Sequence, residues 1–483
     1  MNDPILKARL DALEANLKRH ENPPLWQKQF GLNELANVQL EQVVWIEFSM
    51  EILNRVADQL SAVKKIRDCE DLQQAWQGYR NVYAQSQEIF CDCLEFLGAL
   101  AFRDKKWDES ICQIGDELIG RCAEASGQKP SMIILVSREA IKKSLGRIIR
   151  LRLQEWTIWT LPCTAHEYGH VIEDEVTALK SFVGEEAILW VKDDLKAQQP
   201  RDGAGDQQAA EAALKLVEAA KNATVLAEQA KLFENAGGDQ LTAQFVNQAL
   251  QLAGKYECHI QELIADAFAT YTMGPAYAYA AVLLRLNPAD ATGTNDEPGD
   301  ARRARVIFEM LIKMNQTVAG AKVDAPPYSN IIEELEKQWE AAAIDKLEPI
   351  DNDRLKILVD RIWDKFYQVI YSAAKYPVDS SEDGWQIALE WSQKWIDSLK
   401  QKAELPIPRV SVISKVRDVL NAAWLCRREY PDEIERITKA AYALCGDIIA
   451  KRLHKPTRES AQAQAGGFGP SPSTISTKRE QGR

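Results

Sequence analysis

The chain has 483 residues, of which 46% are hydrophobic and 27% are charged, and it carries a net charge of −12 at pH 7. This composition is typical of a globular protein with a large core, and the length leaves room for two to four domains. The acidic balance argues against a nucleic-acid-binding protein, because contact with phosphates needs clustered Lys and Arg.

The cysteines and the first helix predict a cytoplasmic protein. The N-terminal 21 residues are charged and lack the apolar stretch of a secretory signal, and the nine cysteines are scattered, as expected for reduced thiols. Residues 267–284 carry no charge over about the length of a membrane span, but Gly274-Pro275 interrupts them. We therefore expect two buried helical pieces and no membrane span.

The N-terminal part of the chain has helical periodicity. Apolar residues recur at helical spacing over 3–20, and two long helices are expected over 34–62 and 70–103. These patterns predict a helical N-terminal region over residues 1–125.

Strand signals are confined to one short part of the chain. The sequence MIILV (132–136) is rich in β-branched residues and predicts a strand. The sequence IIRLRL (148–153) fits either a strand or a helix, and we interpret it as a helix. The expected fold class is therefore mainly α, with little β-structure.

The middle of the chain, 126–345, is expected to form the core domain. We expect a helix that begins near Thr160 as its cap, with Pro162 in the first turn. The other elements expected there are an Ala-rich helical insertion at about 185–240, a long helix over 240–273, an irregular acidic loop over 287–300 and a helix over 302–314.

The C-terminal part divides into an ordered and a disordered piece. Residues 346–456 are helical in pattern and rich in Trp, which predicts a second helical region flanking the core. Residues 457–483 consist mainly of Ser, Gly, Gln and Pro with scattered charge, and they predict a disordered tail.

The stretch His166-Glu167-Tyr168-Gly169-His170 has the HExxH pattern of a metal site. On a helix His166 and His170 are separated by about one turn on one face, so that both imidazoles are able to bind one ion. Glu167 lies beside them, where it contacts a metal-bound water rather than the ion. Gly169 leaves room for the close approach of another backbone.

A catalytic zinc needs three protein ligands and one open position. Three residues are candidates for the third ligand: Glu173, His259 and Glu262. Glu173 lies on the same helix and would crowd one side of the ion. His259 has the imidazole that zinc commonly binds, and Glu262 lies one turn of helix from Asp266.

The HExGH helix followed by the later sequence HIQELIADAFA (259–269) resembles the gluzincin branch of the zincin metallopeptidases. The resemblance covers about residues 160–285 and implies a multi-helix zincin-like metallopeptidase core. It also implies that Glu262 is the third zinc ligand and that Asp266 accepts the ring N–H of a ligand histidine, as buried ligand histidines require.

Two other metal-binding families do not fit the motif. The metzincin pattern needs Gly and His after HExxH, where this chain has Glu173 and Val176. A ferritin-like di-iron site needs two Glu-x-x-His pairs, and the sequence contains only the one formed by Glu167 and His170.

Several further residues have an ordinary and a functional interpretation. His259 is an alternative ligand or a donor to an oxyanion, and the tyrosines Tyr271, Tyr277 and Tyr279 are core aromatics or oxyanion donors. Arg302, Arg303 and Arg305 are interpreted as a solvated helix face, with contact to substrate carboxyl groups as the alternative.

Together these patterns predict a cytoplasmic, zinc-dependent metallopeptidase with a peptide or protein substrate and Glu167 as its general base. One alternative is a catalytically idle zincin-like scaffold that binds a protein partner through its flanking helical regions. The other is a zinc hydrolase with a non-peptide substrate.

Overall fold

A computed structural model describes most of the chain. The described residues are 4–20, 39–104, 111–128, 131–135, 148–151, 157–197, 204–235, 239–316, 327–343, 347, 349–370, 374–377, 384–407, 413 and 415–453. The predicted disordered tail, 457–483, lies outside them.

The described residues form 16 α-helices and one two-stranded sheet. The helices before the first motif are α1 (Pro4–His20), α2 (Gln39–Arg67), α3 (Leu72–Asp104) and α4 (Ile111–Ser126). Those from the first motif to the acidic loop are α5 (Thr164–Glu175), α6 (Thr177–Ala197), α7 (Ala204–Ala219), α8 (Ala223–Asn235), α9 (Gln240–Met273) and α10 (Pro275–Ala280). The remaining helices are α11 (Asp300–Gln316), α12 (Ser329–Ala342), α13 (Pro349–Val369), α14 (Trp385–Lys400), α15 (Val416–Glu429) and α16 (Ile434–Leu453).

The mainly α fold class is confirmed, and one local prediction within it is wrong. Strand β1 (Met132–Leu135) forms where the apolar run predicts a strand. Strand β2 (Ile148–Leu151) pairs with it in parallel, although we predicted a helix there. The sequence was compatible with both, and the backbone hydrogen bonds offered by β1 decide for the strand.

The helices α1–α3 enclose a small core of their own. The Leu side chains that recur at helical spacing in α1 are buried against apolar residues of α2 and α3, and Met132 of β1 completes this cluster. The amphipathic pattern at the N-terminus therefore packs as a helix face, as its periodicity predicts.

A second, larger cluster of buried residues extends from Ile111 in α4 to Ile448 in α16. It contains the helices of both sequence motifs and most of the Trp-rich C-terminal helices. The buried core is therefore continuous across residues 125 and 345, where the sequence predicts domain boundaries. The domain division itself stays a prediction.

Helix α9 lies at the centre of the larger core, where it packs against α5, α6, α7, α8 and α11. Its last two turns are buried on all sides, as expected for a helix without a polar face. Small residues Ala213, Ala230 and Val246 form a minor cluster between α7, α8 and α9.

The predicted break at Gly274-Pro275 is present between α9 and α10. Gly274 has φ +63, a conformation that favours glycine, and a side chain there would meet the ring of Tyr376 at 2.5 Å. Asn421 of α15 spans the break, because its amide accepts from Ala276 N and donates to Met273 O, both at 2.9 Å. Among the described helices, none is both long and apolar enough to cross a membrane.

The start of the first motif helix differs from its prediction. Leu161–Cys163 form a 3-10 turn that contains Pro162, and α5 begins only at Thr164. Thr160 does not cap a helix with its side chain; its hydroxyl donates to Thr157 O at 3.1 Å. The proline thus lies in the turn that leads into the helix.

Candidate metal centre

The two motif helices, α5 and α9, cross in backbone contact. A Cβ atom at Gly169 would lie 2.8 Å from Cα of Ala265, closer than side chains approach a backbone. Glycine on one helix and alanine on the other therefore permit the crossing. The close approach predicted for Gly169 is confirmed, and it brings the histidines of α5 to Glu262 and Asp266 of α9.

Three side chains converge at this crossing. The Nε2 atoms of His166 and His170 lie 3.3 Å apart, and each lies 3.3 Å from one carboxylate oxygen of Glu262. Among the described residues, these three form the group whose possible ligand atoms lie close enough to one another to hold one metal ion. A tetrahedral zinc with bonds of about 2.0–2.1 Å would hold its ligand atoms about 3.3 Å apart.

Asp266 determines which nitrogen of His166 faces the group. Its Oδ1 lies 2.8 Å from Nδ1 of His166, and an ionised carboxylate only accepts, so Nδ1 carries the proton. The Nε2 lone pair therefore faces Glu262. Acceptor atoms at this distance repel one another unless a proton or a metal ion lies between them, so the donor set fits a cation.

The environment of His170 also favours positive charge. Burial alone would lower the pKa of His170, but the carboxylates of Glu262 and Glu167 raise it. Burial likewise would raise the pKa of Glu262, but contacts with His166 and His170 lower it well below its ordinary value. An ionised carboxylate beside two imidazoles is a suitable cation site.

Asp266 is fully buried and is held by two further side chains. Arg303 of α11 donates from Nε and Nη2 at 2.8 and 3.0 Å, and the hydroxyl of Tyr277 donates at 2.5 Å. Burial acts to raise the pKa of Asp266, but Arg303 and His166 lower it well below its usual range. The carboxylate thus stays ionised and keeps the ring of His166 in place.

The interpretation of Arg303 as part of a solvated helix face is wrong. Arg303 is 6% exposed and forms the two-nitrogen contact with Asp266. Arg302 and Arg305, by contrast, are partly exposed and pair with carboxylates outside the site. The three arginines share a sequence pattern, and the packing of α11 on α9 decides which one is buried.

Glu167 faces an arginine that the sequence did not indicate. Arg285, the last residue of a π-helical turn (Ala281–Arg285), donates from Nη2 to Oε1 of Glu167 at 2.9 Å. Burial alone would raise the pKa of Glu167, but Arg285 and the two imidazoles lower it to about 2. In this state the proposed base is held in an ion pair.

The other candidate ligands lie apart from the group of three. Nε2 of His259 faces the carbonyl of Thr294 in the acidic loop at 2.9 Å, and burial lowers the pKa of this imidazole. Glu173 is buried, and its carboxylate accepts from Gln261 at 3.4 Å. Of the three candidates for the third ligand, the structure thus places only Glu262 beside both histidines.

The tyrosines considered as oxyanion donors are all buried. Tyr271 packs against Trp363 and Phe366, and Tyr279 stacks on Trp424, so both are core aromatics. Tyr277 lies against His166 with its hydroxyl on Asp266, and burial together with that carboxylate holds its pKa well above 10.

Comparison with known proteins does not identify the chain. It matches no protein-family model, no curated protein and no solved structure. Its function must therefore be argued from its own residues.

Proposed function

We propose that this protein is a zinc-dependent metallopeptidase with His166, His170 and Glu262 as metal ligands. The observation that carries the proposal is the convergence of one ligand atom from each of these three side chains, which come from two helices. Glu167 directly follows the ligand His166 in the chain. Two imidazoles and one carboxylate are a ligand combination that occurs in catalytic zinc sites. The resemblance of the two motif helices to gluzincins supports the same assignment.

Zinc bound there would lower the pKa of a water molecule and polarise the carbonyl of the scissile bond. Glu167 takes the proton from the attacking water on its carboxylate and delivers it to the leaving amine. Asp266 keeps the proton of His166 on Nδ1, so that Nε2 stays free to bind. Arg303 and Tyr277 hold Asp266 in the ionised form that this task needs.

The proposed substrate is a peptide or protein, and the proposed location is the cytoplasm. None of the nine cysteines forms a disulfide in the described part of the chain, which is consistent with a reducing compartment.

The test of the proposal is a Glu167→Gln variant of the full chain. Glu167 is not a ligand, so the variant should bind zinc as wild type does but cleave a proteome-derived peptide library about 10²-fold to 10⁴-fold more slowly. Glu173→Gln on the same helix is the matched control and should retain both properties. Cleavage by Glu167→Gln at the wild-type rate would contradict the role of Glu167 as general base.

A metal site without turnover is the second candidate, and the contact between Arg285 and Glu167 favours it. A carboxylate with a pKa of about 2 is a weak base, whereas general bases work best near the operating pH. Zinc binding by wild type without cleavage of any library peptide would support this candidate and contradict the metallopeptidase.

A further inference from the structure

The ion pair between Arg285 and Glu167 places a guanidinium group beside the residue that follows the candidate ligand His166. The side chain of Arg285 is 16% exposed and that of Glu167 is 32% exposed, so the pair is partly open to solvent. The buried arginine of the site, Arg303, is instead held by both oxygens of Asp266. Arg285 is therefore the arginine that a substrate is able to contact.

The charges of the site permit an anionic substrate once a divalent ion is bound. Four carboxylates, those of Glu167, Glu262, Asp266 and Asp300, face the guanidinium groups of Arg285 and Arg303. A divalent ion held by the ligands would offset the two remaining negative charges when both imidazoles are neutral. A site without net negative charge does not repel an anion.

Two exposed leucines precede Arg285 in the chain. Leu283 and Leu284, on the same π-helical turn, are 41% and 43% exposed. Exposed apolar side chains close to an arginine suit a ligand that carries an apolar side chain close to a carboxylate. Peptides offer this combination at a chain end, or at an acidic residue beside an apolar one.

We propose that Arg285 binds a carboxylate of the substrate and in doing so releases Glu167 from their ion pair. The inference rests on the proposed function, since it assigns a substrate class to the same site. Only an anion replaces Glu167 without loss, because a neutral group would leave the arginine without a charge-assisted hydrogen bond. A peptide with a carboxylate beside its scissile bond is therefore the preferred substrate, because its binding to Arg285 releases the carboxylate of Glu167 to act as the base.

Calorimetry with small probes tests this step without any turnover. N-acetyl-leucine and N-acetyl-leucinamide differ only in the carboxylate, and both are titrated into full-length, zinc-loaded protein. Wild type should bind the acid more tightly than the amide. Glu167→Gln removes the competing carboxylate and should bind the acid at least about tenfold more tightly than wild type does.

Variants of Arg285 provide the decisive comparison. Arg285→Gln should weaken binding of the acid at least about tenfold and leave binding of the amide unchanged. Arg285→Lys keeps the charge and should lie between wild type and Arg285→Gln. Arg302→Gln, at an arginine that pairs with Asp351 at 3.0 Å, is the control and should change neither affinity. Zinc content and melting temperature of each variant verify that it is folded.

The source of the carboxylate is determined by a third probe, the α-amide of N-acetyl-aspartate. Preference for N-acetyl-leucine assigns the contact to a chain end, and preference for the aspartate probe assigns it to an acidic side chain. Equal affinity of acid and amide for wild type, absence of binding by every probe, or an unchanged ratio in Arg285→Gln would each overturn the inference. The predicted binding pattern without peptide cleavage would instead refute only the proposed hydrolysis.

Discussion

At the scale of single residues, the sequence did not reveal that Arg303 is the buried counter-charge of Asp266. Its guanidinium and the carboxylate of Asp266 are both buried, and each neutralises the other. Burial would lower the pKa of Arg303, but Asp266 raises it above its ordinary value. The pair is therefore permanently ionised, and removal of either partner leaves an isolated buried charge.

Replacement of Arg303 should destabilise the protein strongly. Arg303→Met should lower the free energy of unfolding by about 3–5 kcal/mol, because the carboxylate of Asp266 loses its counter-charge. Arg302→Met on the same helix is the control, with an expected cost below about 1 kcal/mol since its ion pair with Asp351 is partly exposed. Urea unfolding of both variants measures the difference, and equal losses would refute the assignment.

A second buried carboxylate, Asp418 in α15, lies away from the metal centre. It is 1% exposed, and burial raises its pKa to about 6 although Arg417, Gly384 N–H, Lys415 and Tyr376 act to lower it. The folded protein thus holds the proton of Asp418 more strongly than the unfolded chain, whose carboxyl has the ordinary pKa of 3.8. The stabilisation from this proton is complete below about pH 4 and is lost as the pH rises through 6.

Asp418→Asn should therefore change how stability depends on pH. The variant should be more stable than wild type above pH 7, by up to about 3 kcal/mol, and the difference should shrink between pH 6 and pH 4. Chemical unfolding at several pH values from 4 to 8 measures it. A difference that does not vary with pH would show that ionisation of Asp418 has no part in the stability.

At the scale of elements, the crossing of α5 and α9 determines the candidate site. The ligand atoms of the two helices lie 3.3 Å apart only because Gly169 lets the backbones approach at Ala265. A shift of either helix by the width of a methyl group would separate the histidines from Glu262. The glycine is thus part of the candidate metal centre, although it offers no ligand atom.

Gly169→Ala should separate the helices. The added Cβ would meet the Ala265 backbone at 2.8 Å, and we expect a loss of about 1–3 kcal/mol in the free energy of unfolding together with weaker zinc binding. Gly254→Ala in α9 is the matched control, because its Cβ would meet open space and should stabilise the helix by up to about 1 kcal/mol. Unchanged zinc affinity in Gly169→Ala would contradict the role given to the crossing.

At the scale of the whole molecule, the candidate metal centre lies within the largest of the buried clusters. The buried cluster that contains α5 and α9 also contains the Trp-rich helices α14 and α15, whereas α1–α3 enclose a separate cluster. An ion bound at the centre should therefore stabilise the helices far along the chain that share its core.

Zinc at 100 times its dissociation constant should raise the free energy of unfolding of this core by about 2.7 kcal/mol, because it binds only the folded state. Tryptophan fluorescence follows the transition, since Trp385, Trp395 and Trp424 are buried in the same cluster. Glu262→Gln should abolish the effect and Glu173→Gln should retain it. Stabilisation of Glu262→Gln by zinc would show that the third ligand is a different residue.

The patterns that depend on neighbours along the chain were predictable. The helical spacing of His166 and His170, the break at Gly274 and the strand at Met132–Leu135 follow from local periodicity and backbone preference. Glu262 was predictable only through the resemblance, because spacing alone left His259 and Glu173 open as ligands.

Contacts between elements that are distant in sequence could not be predicted from local patterns. Three features depend on elements that are distant in sequence: the pairing of Asp266 with Arg303, the approach of Arg285 to Glu167 and the strand at Ile148–Leu151. A helical pattern states which residues share a face, but it does not state which helix covers that face. The amino-acid sequence therefore determined the two halves of the candidate centre, and packing around α9 determined their meeting and the charges that surround them.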